Sequence, residues 1–414
     1  MITPLTRFSR LCFPSISALI FGLCLIAASA SAAVSGSAVP TSPTVSRAGF
    51  LHPGVLVNRA QLELIRQRVA TGTEPQKSAF AALLATPLAD LNYVPSPRAT
   101  VECGSYSKPD LGCKDERRDS AAAYSQAIAW VVTGNPKYAR NAIRIMNAWS
   151  TVLSGGHTNN NGPIQAAWSA SVWPRAAEII RYTSDFWSPE DIARFQTMLV
   201  KQYVPSLIDG SDENGNKELA MSEALINIAV FNDDRALYDA GVKMWRGRAP
   251  AYIYLKSDGP TPVLPANGKP AIWGNKNKTT PFVDGLLQES MRDAHHANMG
   301  FSSMVNAAET ARQQGLDLYA EQGARIMAAM EFQAQFLAPN NTPPPQYLEF
   351  SAQPTWEIAY NHFHNRLGVS LPKIAAVIPT NRPTGADNNH MVWETLTHAE
   401  IGAAGLPPVA PAKP

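Results

Sequence analysis

Charge, cysteine and strand-like alternation are all scarce in this sequence. Lys, Arg, Asp and Glu make up 16% of the 414 residues and the formal net charge is only +2, so no general attraction to nucleic acid is expected. The chain contains no H-E-x-x-H or paired Cys/His spacing, no glycine-rich phosphate loop and no G-x-S-x-G elbow. Common zinc, nucleotide and serine hydrolase sites are therefore not predicted, and we expect no cofactor.

Long apolar runs are also missing, except at the N-terminus. There, Arg7 and Arg10 precede an apolar run from Ile16 to Ala28, and small residues follow to Ala33. This order is typical of a secretory signal peptide, which we place at residues 1–32. The run is shorter than the ~20 residues that span a bilayer, so an uncleaved anchor is the weaker interpretation. We predict an exported protein, in the periplasm or the medium, without stable membrane insertion after cleavage.

The four cysteines divide into two pairs. Cys12 and Cys24 fall within the predicted signal peptide, and only Cys103 and Cys113 remain in the mature chain. These two flank a turn-rich loop, and an exported compartment permits oxidation, so we predict one disulfide. Two free structural thiols are the alternative.

Apolar residues recur three and four positions apart through most of the mature chain, which predicts helices. The predicted segments are 61–70, 119–133, 136–153, 164–183, 189–203, 217–231, 233–246, 284–314, 316–337 and 355–367. Ser188 before Pro189 predicts a helix start, and Gly134-Asn135-Pro136 predicts a break between two helices.

Paired helices with long Pro-, Gly- and Asn-rich loops at 94–118, 154–163, 256–283 and 338–354 favour an all-α fold, an incomplete (α/α)n toroid of helical hairpins with its function on the rim loops. We predict one such domain at residues 49–402. A flexible segment at 33–48 would precede it, and a disordered tail at 403–414 would follow it.

The richest polar segment runs from Gln288 to Gly300. If it is helical, Glu289, Arg292 and His296 share a face with Gly300. A guanidinium one turn from an imidazole can hold an anionic ligand and keep the imidazole neutral, as a general base requires. A buried polar network in which Arg292 pairs with an acid is the alternative.

Three further clusters are candidates. In Trp356–Arg366, Tyr360 and His364 share a helical face, and neighbouring groups can lower a phenol pKa enough for proton transfer. Asn216 stands at a loop-to-helix junction, where its amide caps the helix or donates to a substrate carboxylate. The run that begins at His157 supplies Asn161, Gln165 and Trp168, which suit sugar hydroxyls, although Trp168 could equally be core.

Histidine is a common metal ligand, and the chain has four candidates at His295, His296, His362 and His364. Adjacent histidines, however, point in different directions on a helix. We therefore predict no metal site.

Together these segments resemble the alginate lyase superfamily of α/α-toroid polysaccharide lyases. The resemblance covers roughly residues 50–385. It is carried by the following segments: Gln288-Glu289-x-x-Arg292-Asp293-x-x-His296, Gly315 to Tyr319, Trp356 to His362, Gly215-Asn216 and Tyr106 to Cys113.

The resemblance implies a metal-independent enzyme that cleaves an acidic polysaccharide of linked uronic acids. It implies that Asn216 neutralises the uronate carboxylate with help from Arg292, that His296 is the base and that Tyr360 is the acid. We expect Lys217, Glu289 and His362 to contact substrate together with Asn161, Gln165 and Trp168.

Two positions depart from the family pattern. This chain has Met291 before the arginine, where a small residue is usual, and Lys217 after the asparagine, where an aromatic is usual. Lys217 adds a cation near the predicted groove and leaves the sugar preference open, and His362 could hold one of the roles assigned above.

Two other functions fit the residues. A glycoside hydrolase would use two carboxylates such as Glu289 and Glu357. A non-catalytic glycan-binding protein would use the same groove without turnover. The particular uronan, the cleavage pattern and the oligomeric state do not follow from the sequence.

Overall fold

The computed structural model describes residues 44–269, 273 and 280–402. The predicted signal peptide, most of the predicted flexible segment and the predicted tail lie outside these residues. Among the described residues, no helix is both long enough and apolar enough to cross a membrane.

The fold is mostly helical, as predicted. The longer helices are α1 (Arg59–Thr71), α2 (Gln76–Leu84), α3 (Cys113–Thr133), α4 (Pro136–Val152), α5 (Gly162–Thr183), α6 (Pro189–Met198), α8 (Gly215–Asn232), α9 (Arg235–Tyr252), α10 (Ala294–Gln313), α11 (Leu318–Ala334) and α13 (Pro372–Asn381). The short helices are α7 (Val204–Leu207), α12 (Glu357–Tyr360) and α14 (Glu394–His398).

The helices form an α/α toroid with an inner and an outer layer. Inner helices contact one another in the order α3, α5, α8 and α10, and the series continues through α12, α14 and α1 back to α3. The outer helices α4, α9 and α11 each pack against the inner helix that precedes them. Nearly every residue of α5, α8 and α10 is buried, whereas α4 and α9 each bury one face.

The long inner helices run parallel. Near the starts of α3 and α5, Arg117 donates a hydrogen bond to Gln165. Near the ends of α8 and α10, the Thr310 hydroxyl donates to Asn227 Oδ1 at 3.0 Å. The ends of α5 and α8 also meet, since Arg181 donates to the Phe231 carbonyl at 3.0 Å, so the first turns of all four long inner helices lie at one end of the toroid.

Local sequence explains where several helices begin and end. Ser188 Oγ accepts the backbone N–H of Asp191 at 3.2 Å and so caps α6, as predicted. The predicted break between α3 and α4 is also confirmed. Gly134 ends α3 at φ 66°, a conformation that favours glycine, and Asn135 caps α4.

The helix predicted for 284–314 is wrong in its first third. Residues 284–293 form turns, and α10 begins only at Ala294. Asp293 accepts the His296 backbone N–H at 2.8 Å, so it ends the turn by capping the helix. Glu289 and Arg292 therefore do not share a helical face with His296. Helices α2, α7, α13 and α14 were not predicted.

Five short strands form two small sheets. Strands β1 (Thr44–Val45) and β2 (Leu51–His52) pair antiparallel. Strand β3 (Val101–Cys103) lies between β4 (Asp110–Leu111), which is antiparallel to it, and β5 (His157–Thr158), which is parallel. The predicted disulfide between Cys103 and Cys113 is present and ties β3 to the start of α3.

Candidate functional site

Polar residues that the sequence singled out converge where the inner helices begin. We call this region the N-terminal rim, defined as the first turns of α3, α5, α8 and α10 with the loops that precede them. Unpaired backbone N–H groups and the helix dipole give the start of a helix positive potential. Several such starts at one rim favour an anionic ligand.

Asn216 lies in the first turn of α8 and is joined to the segment before α10. The backbone N–H of Gly215 donates to Gln288 Oε1 at 2.9 Å, which fixes the two segments together. A Cβ at position 215 would stand 2.5 Å from that oxygen, so this approach requires glycine. The Asn216 side chain is buried, and its Oδ1 has no hydrogen-bond partner among the described residues. A buried amide atom without a partner suits a ligand that completes its hydrogen bonding.

His296 stands two residues into α10 and is held by Asp293. Its Nδ1 lies 2.7 Å from Asp293 Oδ2, and its backbone N–H donates to Oδ1. Burial opposes ionisation of Asp293, but the hydrogen bonds from His296 lower its pKa to about 2, so the carboxylate is charged. A carboxylate can only accept, so Nδ1 carries the proton and Nε2 keeps a free lone pair. This tautomer is the one that a general base needs.

Arg292 supplies a loosely held cation beside this pair. Its side chain is 48% exposed, and its nearest carboxylate oxygens, on Glu289 and Asp293, lie 3.7 and 3.9 Å away. Burial raises the pKa of Glu289, although Arg292 opposes the shift. Arg292 can therefore turn toward an anionic ligand without leaving a tightly bound partner.

The loop before α14 brings two residues to the rim that the sequence prediction missed, Asp387 and Asn389. Asn389 Nδ2 lies 3.0 Å from His295 Nε2 and 3.3 Å from Asp387 Oδ2. Asp387 in turn acts electrostatically on both His295 and Arg117. The run Asp387-Asn-Asn-His was a polar signal in the sequence, but nothing in it indicated that the chain returns here.

Arg117, also missed, is the second cation of the rim. Its side chain is buried, it forms no ion pair with any described carboxylate, and its Nε has no partner there. Burial lowers its pKa. The guanidinium lies 5.4 Å over the half-buried ring of Trp168. A cation beside an aromatic face suits a ligand that has both a negative charge and a ring.

Gln165 and Asn161 have supporting contacts. Gln165 is fully buried, accepts from Arg117 and donates to Glu116 Oε2 at 2.7 Å, so it orients Arg117. Asn161 Nδ2 donates to the Gly104 carbonyl at 3.1 Å and steadies the loop that the disulfide closes.

Lys217 faces a neighbouring cavity of about 380 Å³ between the starts of α5 and α8. Its ammonium pairs with Glu213, which is 63% exposed. The cation is thus at the rim, but it is not free.

Tyr360 and His362 are not brought together with His296. Tyr360 stacks on His364 at 4.8 Å between ring centroids, and no described hydrogen bond links it to Asn216, Arg292 or His296. Burial raises its pKa, so the expectation that neighbours would lower it is wrong.

His362 stacks on Tyr319 at 3.9 Å, and the Tyr319 hydroxyl reaches Glu309. Glu309 lies 13 residues after His296 on α10, or about 20 Å along the helix. The same Tyr319 hydroxyl lies 3.3 Å from the Val305 carbonyl, so His362 packs beside the second half of α10 rather than beside His296. Glu357, the second carboxylate of the hydrolase alternative, is buried in an ion pair with Arg382.

Comparison with known proteins agrees with this architecture. The family model for alginate lyase matches residues 104–343, more than half of the chain. No curated protein matches.

Three solved structures share the fold at low sequence identity. Alginate lyase A1-III from Sphingomonas species A1 is 17% identical, with 81% of this chain and 94% of that chain covered at a TM-score of 0.56. A histidine-to-alanine variant of A1-III complexed with tetrasaccharide is 17% identical, with 84% and 98% covered at 0.55. An alginate lyase from Bacteroides ovatus is 14% identical, with 83% and 99% covered at 0.54. By its family match, this chain belongs to the alginate lyase family and is a polysaccharide lyase.

Proposed function

We propose that this protein is an exported lyase that cleaves a uronic-acid polysaccharide, alginate or glucuronan, by β-elimination and leaves 4,5-unsaturated uronate ends. The observation that carries the proposal is the His296–Asp293 pair, which leaves Nε2 of the imidazole free at the N-terminal rim, where Asn216 and Arg292 also lie. The A1-III variant complexed with a tetrasaccharide supports an oligosaccharide ligand for this fold.

Binding of the substrate carboxylate is the first step of the proposed reaction. Asn216 binds the carboxylate through its Nδ2 group, since its unpartnered Oδ1 can only accept, for example from a sugar hydroxyl, and Arg292 supplies a half-exposed guanidinium. Hydrogen bonds and positive charge at the carboxylate stabilise the enolate-like charge that develops when the C5 proton leaves. Both groups are at the rim before substrate arrives, so little reorganisation is required.

Proton removal and bond cleavage follow. His296 Nε2 takes the C5 proton, and the electron pair of that C–H bond forms the C4–C5 double bond. The bond between C4 and the glycosidic oxygen breaks, and the departing oxygen receives a proton from an acid. Asp293 stabilises the imidazolium that forms, as a carboxylate does when it accepts from the other ring nitrogen.

We propose Tyr360 as the acid, as the family resemblance implies. No contact among the described residues joins Tyr360 to His296, so the variant Tyr360→Phe tests the assignment. Loss of turnover with retained binding would support the assignment. Full activity would exclude Tyr360 and leave the protonated His296 as the donor.

The experiment that tests the function uses purified mature protein with alginate, glucuronan and hyaluronan. Formation of the unsaturated product is followed by the ultraviolet absorbance of its conjugated double bond. We expect signal with at least one polyuronate, and a loss of at least about a hundredfold in His296→Ala. Arg292→Ala should lose activity, whereas Arg66→Ala, a comparably exposed arginine in an ion pair, should not. Absence of product with every uronan would contradict the proposal.

Export is a separate part of the proposal. The disulfide between Cys103 and Cys113 supports an oxidising compartment. Cell fractionation and mass spectrometry of the mature N-terminus test it. Recovery of the uncleaved chain from the cytoplasm would contradict it.

A further inference from the structure

A second concave site lies at the opposite end of the toroid from the N-terminal rim. We call it the α9 cavity. It has a volume of about 470 Å³, within the range of small-ligand sites. Its lining comes from one face of α9 and from the turn after α10: Arg235, Tyr238, Asp239, Val242, Lys243, Arg246 and residues 314–316.

Helix α9 sets the distance between this cavity and the rim. Arg235 begins the helix and Tyr252 ends it 17 residues later, a rise of about 25 Å. The Tyr252 hydroxyl donates to the carbonyl of Ala297, the residue after His296. The Arg235 end of the cavity therefore lies about 25 Å along the helix axis from the level of the rim, and Lys243 lies about 14 Å from it.

Cations dominate the charge of the α9 cavity. Arg235 and Lys243 are exposed, and neither forms an ion pair with any carboxylate in the described part of the chain. Arg246 is neutralised by Glu321 at 2.6 Å. Asp239 is the acidic residue of the lining. Two unpaired cations against one carboxylate leave a net positive charge, which favours an anionic ligand.

The Arg235 guanidinium is positioned by its neighbours before any ligand binds. Its Nη2 donates to the Ala48 carbonyl at 3.0 Å. The guanidinium lies 3.8 Å over the Phe50 ring and 5.1 Å over the Tyr238 ring. Such stacking leaves the remaining N–H groups free to bind a carboxylate in a fixed direction.

Tyr238 supplies the second observation that points to a ligand. The residue lines the cavity and is only 3% exposed. Its hydroxyl has no hydrogen-bond partner among the described residues. Burial raises the pKa of this phenol, so it remains a donor. A buried hydroxyl without a partner costs free energy that a bound polar ligand would recover.

We propose that the α9 cavity binds a uronate unit of an acidic oligosaccharide and anchors the polymer outside the rim. Arg235 and Lys243 bind the carboxylate, while Asp239 accepts from sugar hydroxyls and Tyr238 donates to the sugar. The substrate class rests on the proposed function. Anchoring at a second site raises the effective concentration of a long chain at the rim.

The test measures binding to the full chain in His296→Ala, at low salt, by calorimetric titration with a saturated alginate tetrasaccharide. Further arms use inorganic phosphate and a neutral tetrasaccharide. The His296→Ala protein is the background, and the cavity variants add Arg235→Glu and Lys243→Glu to it. Lys243→Glu is also added alone, in case Arg235→Glu unfolds the protein. The control variant adds Lys77→Glu and Lys137→Glu, which replace two exposed lysines. A last variant adds Asn216→Ala and Arg292→Ala to remove the rim site.

We expect two tetrasaccharide-binding sites in the background and in the control variant. The cavity variants should keep only the rim site, and the rim variant should keep only the site in the α9 cavity. The cavity variants of the active enzyme should raise KM for polymer by roughly tenfold and leave kcat/KM for tetrasaccharide unchanged. One site in the background would overturn the proposal, as would full displacement by phosphate at equal concentration. A failed lyase assay with a retained second site would refute only the proposed function.

Discussion

Replacement of Asp293 by asparagine should damage the enzyme more than replacement by alanine. In the native structure Asp293 Oδ1 accepts the His296 backbone N–H at 2.8 Å, while Oδ2 lies 2.7 Å from His296 Nδ1. In Asp293→Asn the amide oxygen must remain toward the backbone N–H to cap α10. The amide nitrogen then takes the place of Oδ2 and donates to Nδ1. The imidazole is driven to the tautomer with its proton on Nε2, where the base needs a lone pair.

The magnitudes follow from the same contacts. The fall of the Asp293 pKa from 3.8 to about 2 corresponds to about 2.4 kcal/mol, shared among the His296 imidazole, the His296 backbone N–H and Arg292, and we assign about half to the imidazole because Asp293 is also 40% exposed. Asp293→Ala therefore loses about tenfold in kcat, together with about 1 kcal/mol of stability from the missing cap. Asp293→Asn keeps the cap and loses at least about a hundredfold in kcat.

The assay is initial rate of unsaturated product at saturating uronan, with thermal unfolding of each variant. Asp317 caps α11 in the same way, accepting the Ala320 N–H at 3.0 Å, and it forms no hydrogen bond with a histidine among the described residues. Its Asn and Ala variants should show the stability changes without the rate changes. An Asp293→Asn enzyme as active as Asp293→Ala would refute the tautomer argument.

Three further predictions concern stability. Burial raises the pKa of Glu394 to about 8, above its ordinary 4.5, so the native protein should lose stability as pH rises from 4.5 to 8. Glu394→Gln should remove this loss, which is worth up to about 5 kcal/mol at pH 8–9. Urea unfolding at several pH values measures it, and parallel curves of unfolding free energy against pH for the two proteins would contradict it. Gly300→Ala places a Cβ 2.3 Å from the buried Tyr252 hydroxyl and should cost at least about 1–3 kcal/mol, which an unchanged melting temperature would exclude. Double replacement of Cys103 and Cys113 by serine opens the loop between two residues that are 10 positions apart, and it should cost about 2–3 kcal/mol of stability. A reductant should lower the melting temperature of the native protein but not that of the variant.

Helices and their ends were accessible from the sequence because local rules specify them. Apolar spacing marked α4 and α9, and Ser188 and Asn135 marked helix starts through side-chain caps. The disulfide was predictable from two cysteines around a turn-rich loop. These features depend on residues that are close together in the chain.

The turn at 284–293 shows where this reasoning stopped. Its composition resembles a helix, and only the capping contact of Asp293 with His296 fixes the boundary at Ala294. The same contact decides which nitrogen of His296 is free. Periodicity carries no information about such a choice, since both arrangements contain the same residues.

The sequence by itself determined the helical class and the family resemblance, and it singled out Arg292 and His296 as candidate site residues. Only the tertiary structure brought Arg117 and Asn389 to the rim, because both depend on contacts between segments far apart in the chain. It also placed His362 on Tyr319, whose hydroxyl contacts Val305 and Glu309, about 14 to 20 Å along α10 from His296. Spacing along one helix can be read from a sequence, but closure of the toroid is decided by packing between helices.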